Sequence, residues 1–145
     1  MNQASSFTAG GSLTNGFAPT TTSDTEVLVH ALARWGEAAL DKCEGMWAFA
    51  AYDEATGELL LSRDRFGEKP LYLHRDATGL YFGSEVKLIA ALAGRTFEPD
   101  VRHVQRFLVN GYKALYKKPQ GFHVGVSELP AGSVLAIDAD GREAV

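Results

Sequence analysis

The chain has 145 residues, the length of one domain, with 46% hydrophobic and 22% charged side chains, a balance that excludes wholesale disorder and collagen-like or low-complexity classes. Lys and Arg number 14 against 18 Asp and Glu, and the resulting formal charge of -4 argues against a dedicated nucleic-acid surface, which needs a basic stripe. No apolar run reaches the roughly 18 residues of a membrane helix, the start lacks a signal-peptide pattern, and the single cysteine has no internal partner, so a soluble, cytoplasmic protein is expected.

Residues Met1 to Thr22, with Gly10, Gly11, Gly16 and the run Thr20-Thr21-Thr22, read as a flexible lead-in. Ser23-Asp24-Thr25-Glu26 has the form of a capping box, in which Ser23 accepts from the amide three residues on and Glu26 reaches back. Val27, Leu28, Ala31, Leu32 and Trp35 then share one helical stripe, and Gly36 supplies the stop. A second helical turn is expected over Glu37 to Lys42. Met46 to Tyr52 is apolar on both faces, which predicts a strand covered by layers on each side. Asp53 to Gly57 turns it back into Glu58 to Ser62. Leu71 to His74 and Leu80 to Gly83 form a second hairpin around Asp76-Ala77-Thr78-Gly79.

Helices follow. Ser84 is the expected cap of a helix from Glu85 to Ala93, and Pro99 the expected start of another, with Val101, Val104, Phe107 and Leu108 apolar and Gly111 past its end. Lys113 to Gly125 is irregular and basic, and its lysines are read as solvated. Ser133 to Ile137 is the last strand, after which Asp140-Gly141 signals a hairpin whose returning strand is cut short.

The densest cluster of unusual residues is Arg63-Asp64-Arg65-Phe66-Gly67-Glu68-Lys69-Pro70. It reads either as an anion clamp or, by preference, as a structural loop in which Arg63 and Asp64 pair at a strand end. Asp24 lies in the first turn of a helix, where the macrodipole stabilises a carboxylate and where an acid can also receive a ligand's ammonium group. Cys43 has no histidine near it in sequence and reads as an inert packing residue, so no catalytic residue is assigned. His30, His74, His103 and His123 lack metal-ligand spacing, and no glycine-rich phosphate loop is present.

Ser23-Asp24-Thr25-Glu26-Val27-Leu28, followed by Leu40-Asp41-Lys42-Cys43-Glu44-Gly45-Met46-Trp47-Ala48-Phe49-Ala50, resembles the class II glutamine amidotransferase domain. Arg63 to Tyr72 and then Phe82-Gly83-Ser84-Glu85-Val86-Lys87 narrow the resemblance to glutamine-hydrolysing asparagine synthetases. Gly111-Tyr112 and Glu128-Leu129-Pro130-Ala131-Gly132 continue it in order, so a partial amidotransferase domain is expected over 23–145. The resemblance implies an α+β fold, a four-layer αββα sandwich of the N-terminal-nucleophile-hydrolase type with antiparallel sheets, incomplete at the N-terminus. In that family a cysteine at the mature N-terminus attacks the glutamine amide with its own α-amino group as base. The released ammonia travels to a synthetase domain where ATP activates aspartate.

The chain departs from this pattern. Its second residue is Asn2, Asn15-Gly16-Phe17 is a superficial echo of the family's Asn-Gly-Glu segment, and the arginine that grips the glutamine α-carboxylate has no counterpart. Asp24 is the one glutamine-binding position that carries over, as the acceptor of the substrate's α-ammonium. No cofactor is expected in this chain, ATP and magnesium being implied for the absent synthetase domain. The expected partners are glutamine and that domain, with no nucleic acid and no membrane. Missing first strands are expected to leave an apolar sheet edge, and with it poor solubility or homo-oligomers. The expectation is a glutaminase part of an asparagine synthetase, inactive alone. The alternatives are a non-catalytic binding module, or an amidotransferase of the same family with another acceptor.

Overall fold

The computed structural model describes residues 8–9, 20–114 and 121–144, in two compact units, residues 1–47 and 48–145. Most of the lead-in assigned to 1–22, and the middle of the basic stretch from Lys113, lie outside the described residues.

In the first unit, β1 (Thr8–Ala9) pairs antiparallel with β2 (Cys43–Glu44). Helix α1 (Asp24–Trp35) begins at Ser23, whose hydroxyl accepts from the Thr25 amide, and ends at Gly36, whose φ of 57° lets its N–H cap the Leu32 carbonyl. Ala31 is buried, Val27, Leu28, Leu32 and Trp35 are half-buried, and Val29, Ala33 and Arg34 face solvent, as the stripe predicts. A 3-10 helix, Gly36–Lys42, follows and packs on α1.

The second unit carries two antiparallel sheets. One has the order β3 (Ala48–Asp53), β4 (Glu58–Arg63), β8 (Val134–Ile137), β9 (Glu143–Ala144); the other has the order β6 (Gly79–Gly83), β5 (Tyr72–Asp76), β7 (Val126–Glu128). The Asp53 carboxylate accepts from the Ala55 and Thr56 amides and Gly57 adopts φ 74°, which closes the β3–β4 turn. Leu61 of β4 lies opposite Leu135 of β8. Both join Leu71 and Leu129 in a buried cluster lined by Leu59 and Ile137 from one sheet and Leu73, Leu80 and Phe82 from the other. The two sheets therefore share one core, and helix α2 (Val86–Leu92) packs on β5 and β6 through its fully buried Ile89. Among the described residues no helix is long and apolar enough to cross a membrane.

Four local expectations are corrected. The strand from Met46 is not covered on both faces: β3 is an edge strand among the described strands, so Ala50 is exposed and Tyr52 is 65% exposed. Ser84 is not the cap of α2; Glu85 is, and its main-chain carbonyl receives the Leu88 amide. Pro99 does not start α3 (Val101–Asn110), because it is held in a β-bridge with His123, flanked by Asp100 N–H to the Phe122 carbonyl and Val124 N–H to the Glu98 carbonyl. Asp100 caps instead, accepting from the His103 amide at 2.9 Å. Finally, α3 buries His103, edge-on to Phe122, while Val101 and Leu108 point to solvent.

Candidate functional site

Among the described residues, one place in each unit holds side chains of the sequence-predicted sites in defined geometry. The first is the start of α1. Glu26 does not close a capping box onto the Ser23 amide. Its carboxylate instead takes the main-chain N–H and hydroxyl of Thr20 on one oxygen, at 2.9 and 2.7 Å, and the same two groups of Thr21 on the other. Thr21 Oγ1 in turn accepts from the Ser23 amide. The physical reason is competition: two threonines preceding the cap offer four donors, more than the single N–H of Ser23. The strap Thr20-Thr21-Thr22 is thereby hooked onto the first turn, and Asp24, half-buried, lies in that turn at the positive end of the macrodipole.

These hydrogen bonds, the Thr21 hydroxyl foremost, lower the Glu26 carboxyl from the usual 4.5 to about 2. Because the folded value lies below the unfolded one, its contribution is complete above about pH 4.5 and is lost as pH falls from there towards about 2. We expect amide-exchange protection at the start of α1 to fall across that window, and Glu26→Gln to abolish this pH dependence. Equal pH profiles for the two proteins would reject the strap.

Cys43 lies in β2, fully buried, and its thiol donates to the Ala39 carbonyl at 3.2 Å. A small side chain fills this buried position. Its full burial keeps the thiol away from solutes.

The second place is the loop that follows β4. Arg63, 9% exposed, does not pair with Asp64 as the strand-end reading supposed. Its NH1 group meets Glu128 Oε2 at 2.9 Å and the Leu129 carbonyl at 2.7 Å, while NH2 donates to Gly67 O and Nε to Lys69 O. Four of the roughly five guanidinium donors are thus committed to protein oxygens, which removes the anion-clamp reading. Asp64, fully buried, faces the other way: Oδ1 accepts from the Phe66 and Glu68 amides and Oδ2 from the Lys69 amide, each at 3.0–3.1 Å. Gly67 is required at the apex, since it has φ 64° and an added Cβ would stand 3.1 Å from Ala131 Cβ and 3.2 Å from Arg63 Cζ. Burial, and then the Glu128 carboxylate, push the Tyr72 hydroxyl up, with Arg63 opposing.

Sequence reading missed Glu128 as a member of this group. The only signal available was a carboxylate closing the short strand Val126–Glu128, and nothing local links it to Arg63, 65 residues earlier.

Comparison with known proteins gives the frame for these sites. The family described as "Glutamine amidotransferase domain" matches residues 12–144. Asparagine synthetase [glutamine-hydrolyzing] 3 of Bacillus subtilis is 34% identical over 124 residues, covering 83% of this chain and 19% of that protein. A putative asparagine synthetase [glutamine-hydrolyzing] of Mycobacterium tuberculosis is 36% identical over 123 residues, with 83% and 18% covered. The chain therefore spans about a fifth of the length of these relatives. Among solved structures, a glutamine phosphoribosylpyrophosphate amidotransferase from B. subtilis superposes with a TM-score of 0.57 at 22% identity, over 89% of this chain and 24% of that one. This last likeness shows the fold alone: antiparallel α+β architecture of the N-terminal-nucleophile-hydrolase type, as the sequence resemblance implied.

Proposed function

The chain belongs to the glutamine amidotransferase domain family, and from that membership we propose that it is the glutaminase part of a glutamine-dependent asparagine synthetase. In this reading the amide nitrogen of glutamine passes as ammonia to an aspartate activated by ATP. The observation that carries it is the continuous match to asparagine synthetases over 83% of the chain. The synthetase step belongs to the four fifths of the relatives that this chain does not span, and ATP and magnesium are assigned to that part. A cytoplasmic setting agrees with a single, reduced cysteine.

Within the chain, Asp24 is the residue we assign to glutamine, its carboxylate receiving the α-ammonium. The start of α1 suits this role because the Glu26 strap and the Ser23 cap hold its backbone in one geometry, and a preorganised backbone leaves less freedom to be lost on binding.

A second reading is favoured by one feature, the burial of Cys43, which is the only cysteine in the sequence. It holds that this polypeptide binds glutamine without hydrolysing it. One experiment addresses both readings: calorimetric titration of the chain with glutamine, with glutamate release assayed on the same samples. We expect binding that weakens about ten- to a hundredfold in Asp24→Ala, the loss typical of a charge-assisted hydrogen bond, and no glutamate release from wild type or Cys43→Ala. Binding that Asp24→Ala leaves unchanged would remove Asp24 from the site. Glutamate release that vanishes in Cys43→Ala would overturn the non-hydrolytic reading.

A further inference from the structure

Asp24 and Glu26 are the two acids in the first turn of α1, and Glu26 is saturated. The N–H and O–H of Thr20 reach its Oε1, and the same two groups of Thr21 reach its Oε2. Four donors therefore occupy the roughly four lone-pair sites of one carboxylate, and a ligand's ammonium enters there only by displacing the strap. What Glu26 does instead is fix the chain on the N-terminal side of Asp24. Thr21 is held through its main-chain N–H and its hydroxyl, and the oxygen of that hydroxyl accepts from the Ser23 amide at 3.2 Å. Ser23 is tied twice more: its carbonyl accepts from the Glu26 amide at 3.2 Å and its hydroxyl from the Thr25 amide at 3.3 Å. Both sequence neighbours of Asp24 are thus held. Glu26 acts on that arrangement from two directions, through Thr21 by its side chain and on Ser23 by its own amide.

We propose that Glu26 is a positioning residue for ligand binding at Asp24. Acting through Thr20 and Thr21, it presets the backbone from which the Asp24 carboxylate meets the α-ammonium of glutamine. This inference rests on the assignment of glutamine to Asp24 and adds to it a residue that touches no substrate. The physical reason is entropic. Thr20 to Ser23 precede the helix, so no helical ladder holds them, and side-chain hydrogen bonds are what order them. A strap that is already closed has less freedom left to lose when glutamine arrives. Linkage makes the effect reciprocal: whatever closure adds to glutamine affinity, bound glutamine adds to closure.

Calorimetric titration of the full chain tests this, with glutamine and with glutaramate, which is glutamine without its α-ammonium group. Circular dichroism confirms the fold of each variant. Glu26→Gln keeps the size of the side chain but turns an NH2 group towards two of the four donors. Thr21→Val removes the hydroxyl that links Glu26 to Ser23. Each is expected to weaken glutamine binding about three- to tenfold, to spare glutaramate binding, and to add nothing in an Asp24→Ala background. Exchange of the Thr21 and Ser23 amides is expected to slow when glutamine binds wild type and to stay unchanged in Glu26→Gln. Equal losses for both ligands would make Glu26 a general stabiliser of the turn and overturn the proposal. Losses that add in full to that of Asp24→Ala would overturn it too. Weaker glutamine binding in Asp24→Ala, with wild-type affinity in Glu26→Gln and Thr21→Val, would overturn the positioning role alone. Glutamine binding that Asp24→Ala leaves unchanged, or its absence in wild type, would remove the assignment of Asp24 and the positioning role with it.

Discussion

Asp64→Ala is expected to destabilise the second unit by about 3–5 kcal/mol, lowering the melting temperature by about 10–20 °C. The carboxylate is fully buried and satisfies the amides of Phe66, Glu68 and Lys69 at once. Truncation orphans three backbone donors of a loop, and each carries a desolvation penalty of about 1–3 kcal/mol. The sum stays below the arithmetic maximum because the loop relaxes and admits water. Asp64→Asn separates charge from geometry. Its amide oxygen can still serve Phe66 and Glu68, but its NH2 group then faces the Lys69 amide, so an intermediate loss is expected. Thermal unfolding of the two variants checks this ordering, and an Asp64→Ala protein that melts within 2 °C or so of wild type would contradict the role assigned to the carboxylate.

Arg63→Met is expected to be comparably severe, about 3–5 kcal/mol, by the opposite mechanism. Removing the guanidinium leaves Glu128 without its cation and strips donors from the carbonyls of Gly67, Lys69 and Leu129. Arg63→Lys should recover only part of the loss, since one ammonium group cannot span four acceptors set around a planar fork. Arg63→Met combined with Glu128→Leu should lose less than the two single losses added together, because the second change removes the uncompensated carboxylate. A local readout accompanies the stability effect. Arg63 opposes the upward push on the Tyr72 hydroxyl, so Tyr72 should titrate higher still in Arg63→Met and lower in Glu128→Leu. Strict additivity of the two single losses would show that Arg63 and Glu128 act independently.

Arg63 and Asp64 also mark the boundary between what sequence reading reached and what it did not. The eight-residue segment from Arg63 to Pro70 stands out by composition alone, and its role as a structural loop is borne out. The pairing inside it is not. Adjacent residues on an extended backbone point to opposite sides, so Arg63 and Asp64 diverge: one reaches across to β7 and the following turn, the other folds back on its own loop. A partner 65 residues away leaves no trace in local spacing. The start of α1 repeats the lesson on a smaller scale. Ser23 caps as its residue type predicts, yet Glu26 chooses the preceding threonines over the box, because several competing donors lay within reach and spacing cannot rank them.

The elements themselves were legible. Periodicity located α1 and its apolar stripe, short apolar runs bounded by turn residues located β3 to β6, and Gly36, Gly57 and Gly111 ended their elements where a positive φ is needed. These features depend on each residue's own backbone preferences and its immediate neighbours, which a linear string contains in full. The family resemblance was legible for the same reason, as runs of residues in fixed order. Exposure and partnership were not. Tyr52 and Ala50 belong to a strand whose apolar character predicted burial on both faces, and only the order of the described strands places that strand at the edge of its sheet. His103 shows the converse, a polar residue sealed against Phe122 on a helix whose Leu108 faces water. Local propensity, a short-range property, was settled by the sequence alone. Which surfaces are covered depends on contacts between distant segments, and that was decided only when the chain folded.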